Sequence, residues 1–241
     1  MKVSSTEVQN NFGKYLKYVE LNEEIIITKK GREVAKIARY NDDAAVMEGL
    51  AEYKTTGGWV TYEEFLELVE ASEQRYELID GVVYNLAAPT YTHQHIVHEI
   101  HGSLYNWFKG KNCIPLTSPF DVTLIKSKEN ICVVQPDIIV ICDKENINKK
   151  GKYKGVPTLA IEVLSPSTRS KDMLKKLDLY KQCGVKEYWI VDSQNAQIFV
   201  YSLENNDISN SKVYRKGADS NVVSDHFKGL QVSLNDIFGS E

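Results

Sequence analysis

The sequence predicts an α/β fold in which a central mixed sheet is flanked by helices, behind a small β-α-β-β module. Three observations support this prediction. After residue 59, segments with helical spacing of apolar residues alternate with short apolar segments typical of strands. Asp80-Gly81 separates two such strand-like segments, which is a strong signal for a β-hairpin. Near the start, Ser4 and Glu7 match the capping box that opens a helix.

The first forty residues, 1–40, predict a separate compact unit. Behind the capping box, one apolar helix face is expected through about Leu21, formed by Val8, Phe12, Leu16 and Val19. Two strands, 24–28 and 34–38, follow and are joined by a turn at Gly31. Such a unit is too small to bury much apolar surface by itself, so we expect it to dimerise or to dock.

Residues 41–58 predict a short helix and a linker, because they are charged, rich in alanine and end in a Thr-Thr-Gly-Gly run. A second domain then spans 59–241. Thr61 is the expected cap of its first helix, whose inward side chains are Phe65, Leu66 and Val69. Further helices are predicted over 92–108 and 171–183, and strands near 76–79, 82–85, 121–125, 133–142, 158–164, 187–192 and 197–201.

The composition is that of an ordinary globular protein, with 42% hydrophobic and 26% charged residues. No apolar run approaches the roughly 20 residues of a membrane-spanning helix, and the start lacks the apolar core of an export signal. We therefore expect a cytoplasmic protein without a membrane partner. Its four cysteines are expected to be free thiols in that reducing compartment: Cys113, Cys132, Cys142 and Cys183.

Charge is unevenly distributed, although the net charge is only −4. Residues 1–40 carry eight basic and five acidic side chains, and residues 149–186 carry ten basic and three acidic ones. The second segment, which includes Arg169, is a candidate binding surface for the phosphate backbone of a nucleic acid. The alternative interpretation is a lysine-rich loop and helix face in contact with solvent, and charge alone favours this alternative.

Two carboxylates lie in apolar surroundings: Asp137 in VVQPDIIVI and Glu162 in LAIEVL. A charge inside such a strand is costly unless it is paired or binds a metal. Mg²⁺ prefers a few carboxylate oxygens together with water and phosphate. Alternatively, both carboxylates lie at strand ends, where they cap a turn or pair with a lysine. Composition alone slightly favours this second interpretation.

The helix predicted over 171–183 brings a lysine near this pair. Asp172, Lys176 and Tyr180 recur every four residues and therefore share one stripe, beside an apolar stripe that packs on the sheet. Lys176 is expected at the border of the core, within reach of the strand that carries Glu162. There it could activate a water and offset charge on a phosphate. Alternatively, its stem covers apolar surface while the ammonium stays in water.

Pro136-Asp137, followed after 24 intervening residues by Glu162-x-Leu164, resembles the signature of the PD-(D/E)XK nucleases. The longer string EVLSPSTRSKDMLKKLDLYKQCGVKEYWIVD is similar to the Uma-two family of endonucleases in that superfamily. This resemblance covers roughly residues 59–238, with YELIDGVVY near its start and FKGLQVSLNDIF near its end. It implies a restriction-endonuclease-like fold and hydrolysis of phosphodiester bonds.

The resemblance also implies a metal site. Asp137 and Glu162 would hold Mg²⁺, for which Mn²⁺ could substitute, and the backbone carbonyl of Val163 would assist. The superfamily signature ends in lysine where this chain has Leu164. In the Uma-two pattern the following helix supplies the lysine, which matches Lys176.

Further roles follow from the same resemblance. Glu77 matches an early glutamate of the family and would add a metal or water contact. Tyr180 and Asp172 would support the site without touching substrate. A family histidine lies near His93, which would contact the nucleic acid.

Four of the five histidines cluster at His93, His95, His98 and His101. His98 and His101 share a helix face, so the cluster could bind a transition metal. Partly exposed histidines at the start of a helix are the favoured interpretation.

The N-terminal module resembles the Phd/YefM antitoxins in VSSTEVQNNFGKYLKYVE and EEIIITKKGREVAKIARY. The resemblance implies a homodimer that binds DNA, with candidate phosphate contacts at Lys14, Lys29, Lys30 and Arg32. A toxin protein is a further implied partner. The alternative is a dimerisation module with no operator of its own.

The sequence therefore predicts a metal-dependent DNA endonuclease with an antitoxin-like module for dimerisation or DNA targeting. Two alternatives from other classes stay open. One is a DNA-binding regulator whose nuclease-like domain is inactive, and the other is an antitoxin component of a toxin–antitoxin system.

Overall fold

The computed structural model describes residues 2–15, 25–37, 59–165 and 171–239. The side chains of Lys171 and Asp172 lie outside this description, so the supporting role expected of Asp172 does too. The chain divides into two compact units, Met1–Glu48 and Gly49–Glu241. Among the described helices, none combines the length and the apolar character needed to cross a membrane.

The N-terminal unit has the predicted β-α-β-β order. Its elements are β1 (Lys2–Ser4), α1 (Ser5–Asn10), β2 (Ile25–Lys29) and β3 (Arg32–Ile37). The middle strand is β2, which pairs parallel with β1 and antiparallel with β3. Ser4 caps α1 as expected, because its side chain accepts the backbone N–H of Glu7.

The small core of this unit contains Val3, Val8, Tyr15 and Ile25. The expectation that Phe12 faces inward is wrong, since its side chain is 51% exposed. The physical reason is the end of α1 at Asn11, whose φ of −131° is not helical. The next turn is therefore rotated, and Tyr15 is buried instead. Leu16 and Val19 of the predicted face lie outside the described residues.

The second unit alternates helices and strands around a central sheet. Its helices are α2 (Tyr62–Glu70), α3 (Tyr91–Phe108), α4 (Leu177–Cys183) and α5 (Leu234–Phe238), with a 3₁₀ turn at Lys144–Asn146 and a π-helical segment at Lys171–Lys176. Its strands are β4 (Tyr76–Ile79), β5 (Val82–Asn85), β6 (Ile114–Thr117), β7 (Val122–Ile125), β8 (Ile131–Val134), β9 (Ile138–Ile141), β10 (Leu159–Val163), β11 (Glu187–Asp192), β12 (Gln197–Glu204), β13 (Asp207–Arg215), β14 (Asn221–Val223) and β15 (Gln231–Ser233).

The strands form a mixed six-stranded sheet in the order β13-β12-β11-β10-β9-β6 and a four-stranded sheet in the order β5-β4-β8-β7. A two-stranded sheet, β14-β15, completes the set. Within the large sheet β10 pairs parallel with β11 and antiparallel with β9. The predicted mixed sheet flanked by helices is confirmed.

Side chains of β10 alternate between two cores because successive residues of a strand point to opposite faces. Leu159, Ile161 and Val163 pack with α3. Ala160 and Leu164 pack on the other face, in a core that includes Tyr180 of α4. Glu162 lies between Ala160 and Leu164 in this alternation, so its side chain is on the same face as theirs. It therefore points toward α4.

The single strand predicted over 133–142 is wrong. The structure has two strands there, β8 and β9, and they belong to different sheets. Proline has no N–H to donate to a sheet ladder, so Pro136 interrupts the pairing. The break places Asp137 just before β9 rather than inside a strand. For this residue the strand-end interpretation of the sequence is correct.

Two of the cysteines do not match the predicted free thiols: Cys113 and Cys142 form a disulfide, with Cα atoms 4.1 Å apart. Antiparallel pairing of β6 and β9 sets Ile114 opposite Ile141, so the next residues outward face each other. Cys132 and Cys183 are free. Burial raises the pKa of the Cys183 thiol to about 11.

Several strands had no clear signal in the sequence. The longest of them, β13, has mostly exposed side chains and forms an edge of the large sheet. A strand that buries neither face lacks the apolar alternation on which the prediction rests. The other unpredicted strands, β6, β14 and β15, have only three or four residues each.

Candidate active site

A pocket of about 950 Å³ opens in the second unit. Its walls come from the start of α3, from the residues just before β9, from the end of β10 and from the turn after β11. Five residues to which the family resemblance assigns a role in the site line it: His93, Asp137, Glu162, Val163 and Lys176. A pocket of this size is typical of ligand and substrate sites.

Glu162 lies at the buried end of this pocket, with only 3% of its surface exposed. Its Oε1 atom lies 2.7 Å from the Lys176 ammonium and accepts a hydrogen bond of 3.0 Å from the Tyr180 hydroxyl. A carboxylate this deeply buried needs such partners, because desolvation of an unpaired charge is costly. The predicted approach of Lys176 to the strand of Glu162 is present.

Lys176 reaches Glu162 from a segment that is π-helical, Lys171–Lys176, rather than α-helical as predicted. The α-helical part, α4, begins at the next residue. Lys176 and Tyr180 nevertheless contact the same oxygen of Glu162. Single π-helical turns are frequent at functional sites, where they redirect side chains.

The Lys176 ammonium also contacts a second carboxylate. Glu77 Oε1 lies 2.8 Å from Lys176 Nζ, and the Glu77 side chain is fully buried on β4. The same Oε1 accepts the backbone N–H of Gln135 at 2.9 Å. One buried ammonium therefore joins two buried carboxylates, one from each of the two larger sheets.

Asp137 stands opposite Glu162. The antiparallel register pairs Ile138 with Ile161, so the next pair outward is Asp137 with Glu162. Asp137 Oδ2 accepts the backbone N–H of Val163 at 2.8 Å and lies 3.2 Å from His93 Nε2. The side chain is 19% exposed, so the carboxylate is held at one edge and open to the pocket.

Asp137 and Glu162 are the oxygen donors best placed to hold a cation. Within residues 2–15, 25–37, 59–165 and 171–239, no three His, Cys, Asp or Glu side chains are grouped to hold a metal ion. A hard cation commonly uses only one or two carboxylates and completes its shell with main-chain, water and phosphate oxygens. The two carboxylates and the pocket beside them fit that kind of site.

Gln135 and Arg75 also line the pocket, although the sequence analysis did not single them out. The Gln135 side-chain nitrogen donates to Asp121 Oδ1 at 2.8 Å, and an Arg75 nitrogen donates to the Ser118 hydroxyl at 3.3 Å. Gln135 directly precedes Pro136-Asp137, which was a usable signal. No local pattern distinguishes Arg75.

The histidines of α3 do not form a transition-metal cluster among the described residues. His93, His98 and His101 line the pocket, whereas His95 stacks on Tyr91 with an interplanar angle of 6°. The interpretation as partly exposed histidines near a helix start fits this arrangement.

The other residues predicted to contact nucleic acid are not among the described residues that line this pocket. Lys14, Lys29, Lys30 and Arg32 belong to the N-terminal unit, where all four are exposed. Arg169 lies outside the described residues. In the basic segment 149–186, the loop lysines are exposed, namely Lys149, Lys150, Lys152 and Lys154. A solvated loop therefore describes this part of the segment.

Two family models match the chain. The Uma2 model, described as "Putative restriction endonuclease", matches residues 62–235, which is well over half of the chain. The model of the Phd_YefM antitoxins of type II toxin–antitoxin systems matches residues 1–54.

Individual proteins are similar to this chain as well. An uncharacterised protein of Synechocystis sp. is 28% identical over 140 residues, which cover 58% of this chain and 72% of that protein. A crystal structure of "a putative nuclease belonging to DUF820" from Anabaena variabilis matches with a TM-score of 0.61 and 22% identity. The match covers 74% of this chain and 97% of that one. The likeness shows that the two proteins share a fold.

Proposed function

The chain belongs to the Uma2 family, and from this premise we propose that it is a metal-dependent endonuclease that hydrolyses phosphodiester bonds of DNA. One observation carries the proposal. Asp137 and Glu162 face each other across adjacent strands at a pocket, and the ammonium of Lys176 lies 2.7 Å from Glu162. Two carboxylates that can hold a metal ion, beside a lysine, are groups that can support metal-dependent hydrolysis of a phosphodiester.

Asp137, Glu162 and the backbone carbonyl of Val163 would hold Mg²⁺, with Mn²⁺ as a substitute. The bound cation would supply Lewis acidity toward the phosphate and acidify a water. Lys176 would orient the attacking water and offset negative charge as the phosphorus gains a fifth oxygen. The attacking water would release a proton to solvent as its oxygen bonds to phosphorus. The bond from phosphorus to the leaving oxygen would then break, and that oxygen would take a proton from solvent. No covalent intermediate with the protein is needed.

The walls of the pocket would hold the nucleic acid. His93 contacts Asp137 and faces the same pocket, so it is placed to donate to a phosphate next to the scissile bond. Arg75 lies on the wall with Ser118 and offers a guanidinium to a second phosphate. Arg169, in the adjoining basic segment, would add a third contact.

The N-terminal module would dimerise the chain or direct it to DNA. The Phd_YefM match supports this proposal. So do Phe12 and Val34, whose apolar side chains are more than half exposed on a unit with a small core. Lys14, Lys29, Lys30 and Arg32 would contact phosphates. The same match favours a second candidate function, an antitoxin-like regulator that binds DNA or a toxin protein without cutting DNA.

The test is cleavage of supercoiled plasmid and of single-stranded DNA with Mg²⁺ or Mn²⁺. Asp137→Asn, Glu162→Gln and Lys176→Met keep the side chains close to their original size, and EDTA removes the metal. We expect metal-dependent nicking by the native chain and a loss of at least about 100-fold in each variant. Glu129→Gln and Lys128→Met, at exposed positions, are the matched controls.

A native chain that cuts no substrate with either metal would contradict the endonuclease proposal. Cleavage at the native rate by all three variants would contradict the site. Specific binding to a DNA operator without cleavage would then favour the regulator.

A further inference from the structure

We propose that Glu77 is a positioning residue for Lys176 and not a ligand of the metal. This inference rests on the proposed endonuclease function. Under this proposal, Glu77 affects the reaction only by holding Lys176 in place.

The first argument is the contact itself. Glu77 Oε1 lies 2.8 Å from Lys176 Nζ, and Glu162 Oε1 lies 2.7 Å from the same nitrogen. The two carboxylates come from different sheets, β4 and β10. The ammonium is therefore held between two rigid elements. A flexible lysine side chain fixed in this way loses the rotamer freedom that would otherwise blur its position.

The second argument is accessibility. Asp137, Glu162 and Lys176 line the pocket in which a phosphate would bind, but Glu77 is not among the lining residues of the described chain. Its side chain is fully buried behind the lysine. A cation that enters from the pocket would meet Asp137 and Glu162 first. To reach the oxygen that Glu77 gives to Lys176, it would have to replace the ammonium.

The third argument is the way in which the Glu77 oxygen is itself held. The Glu77 oxygen that contacts Lys176 also accepts the backbone N–H of Gln135, two residues before Asp137. Gln135 is held in turn by Asp121, through its side-chain nitrogen. Asp121 can only accept when ionised, so it fixes which way the Gln135 amide points. The Gln135 N–H therefore fixes the Glu77 oxygen that contacts Lys176.

The experiment separates metal binding from catalysis. Binding of Mn²⁺ alone is measured by calorimetry, and plasmid cleavage gives kcat and KM. The variants are Glu77→Gln, Lys176→Met, the double variant and Asp137→Asn. Glu63→Gln, an exposed glutamate on α2, is the matched control. If Glu77→Gln does not fold, Glu77→Asp keeps the charge and shortens its reach by one methylene.

We expect Glu77→Gln to bind Mn²⁺ within about twofold of the native affinity while kcat falls by at least about tenfold and KM for DNA changes little. In the Lys176→Met background, Glu77→Gln should have no further effect on cleavage, because a residue that acts only through the lysine has nothing left to position. Asp137→Asn should weaken Mn²⁺ binding by at least about tenfold.

A fall in Mn²⁺ affinity as large as that of Asp137→Asn would make Glu77 a ligand and overturn the proposal. Additive losses of kcat in the double variant would also overturn it. If the native chain binds Mn²⁺ but cuts nothing, the endonuclease function and the positioning role in catalysis fail, while the affinities still decide whether Glu77 is a ligand. If it neither binds Mn²⁺ nor cuts, both proposals fail.

Discussion

Single residues of this chain are often fixed by one neighbour that is distant in sequence. At Gly81, in the turn between β4 and β5, φ is +73° and a Cβ atom would lie 2.3 Å from the ring of Trp59. A residue with a Cβ atom at position 81 would therefore be disfavoured for two separate reasons, its backbone conformation and its steric overlap with Trp59. In the same turn Asp80 has a φ of +48° and binds side chains of the β7–β8 connection.

Replacing Gly81 by alanine should destabilise the second unit by more than the about 1–2 kcal/mol that a left-handed φ costs a residue with a Cβ. The excess arises because the methyl group would displace the Trp59 ring. Urea denaturation of Gly81→Ala in the native and Trp59→Ala backgrounds measures this excess. Gly229→Ala is the control, since its φ is +89° but nothing lies within 4 Å of the added atom. Equal losses for Gly81→Ala and Gly229→Ala would contradict the overlap.

Asp80 gives a pH dependence with a definite sign. Partial burial favours the neutral acid, but hydrogen bonds from Lys126 at 2.7 Å and Asn130 at 2.8 Å outweigh burial and hold the pKa of Asp80 below its usual range. The pKa is depressed in the folded state. The stabilisation is therefore fully present above the unfolded value of about 3.9 and is lost as pH falls through the folded value.

We expect Asp80→Asn to remove this part of the pH dependence, because asparagine keeps the left-handed turn without the charge. The difference between the native chain and Asp80→Asn should be below about 1 kcal/mol at pH 6, since the carboxylate is 44% exposed, and should shrink toward pH 3. Urea denaturation at several pH values between 6 and 3 measures it. A difference that stays constant over this range would refute the assignment.

At the level of elements, Glu187, the first residue of β11, connects this core strand to the C-terminal region through hydrogen bonds. Glu187 is fully buried, and its Oε2 accepts the backbone N–H groups of Asp225 and His226 at 2.8 and 2.7 Å. Its Oε1 accepts the indole N–H of Trp189 at 2.6 Å. The carboxylate thus anchors the connection between β14 and β15.

Glu187→Gln should lower the free energy of unfolding by about 2 kcal/mol, because the amide presents N–H groups to donors that need an acceptor. Chemical denaturation measures the change, with Glu204→Gln at the exposed end of β12 as the control. If the two variants lose the same free energy, the anchoring role of Glu187 is refuted.

At the level of the whole molecule, the two units differ in tryptophan content and in the functions proposed for them. All the tryptophans, Trp59, Trp107 and Trp189, lie in the second unit, Gly49–Glu241. Their fluorescence therefore reports the unfolding of the unit that contains the candidate active site. The N-terminal unit does not contribute to it.

Mn²⁺ should raise the unfolding midpoint seen by tryptophan fluorescence, because a cation that binds only the folded unit stabilises it. At 100 times the dissociation constant the gain is about 2.7 kcal/mol. Asp137→Asn should lose the shift, whereas Asp207→Asn, at an exposed position of β13, should keep it. An equal shift in both variants would place the cation elsewhere.

The sequence by itself determined what depends on neighbours along the chain. The cap residues Ser4 and Thr61 marked the starts of α1 and α2, Asp80-Gly81 marked the β4–β5 hairpin, and apolar segments marked β10 and β11. It also brought Asp137 and Glu162 into one hypothesis, because charges in apolar segments are conspicuous in a sequence. Lys176 joined them through its position on the helical stripe and through the family resemblance. The roles of these residues stay a prediction.

Only the tertiary structure decided the contacts between distant segments. It placed β8 and β9 in different sheets, closed the disulfide between Cys113 and Cys142, and set Glu77 against Lys176. It also revealed β13, whose polar sequence carries no periodic signal. The physical reason is common to all four. Local propensity and periodicity act over a few residues, whereas strand order and buried ion pairs depend on which surfaces meet when the chain folds.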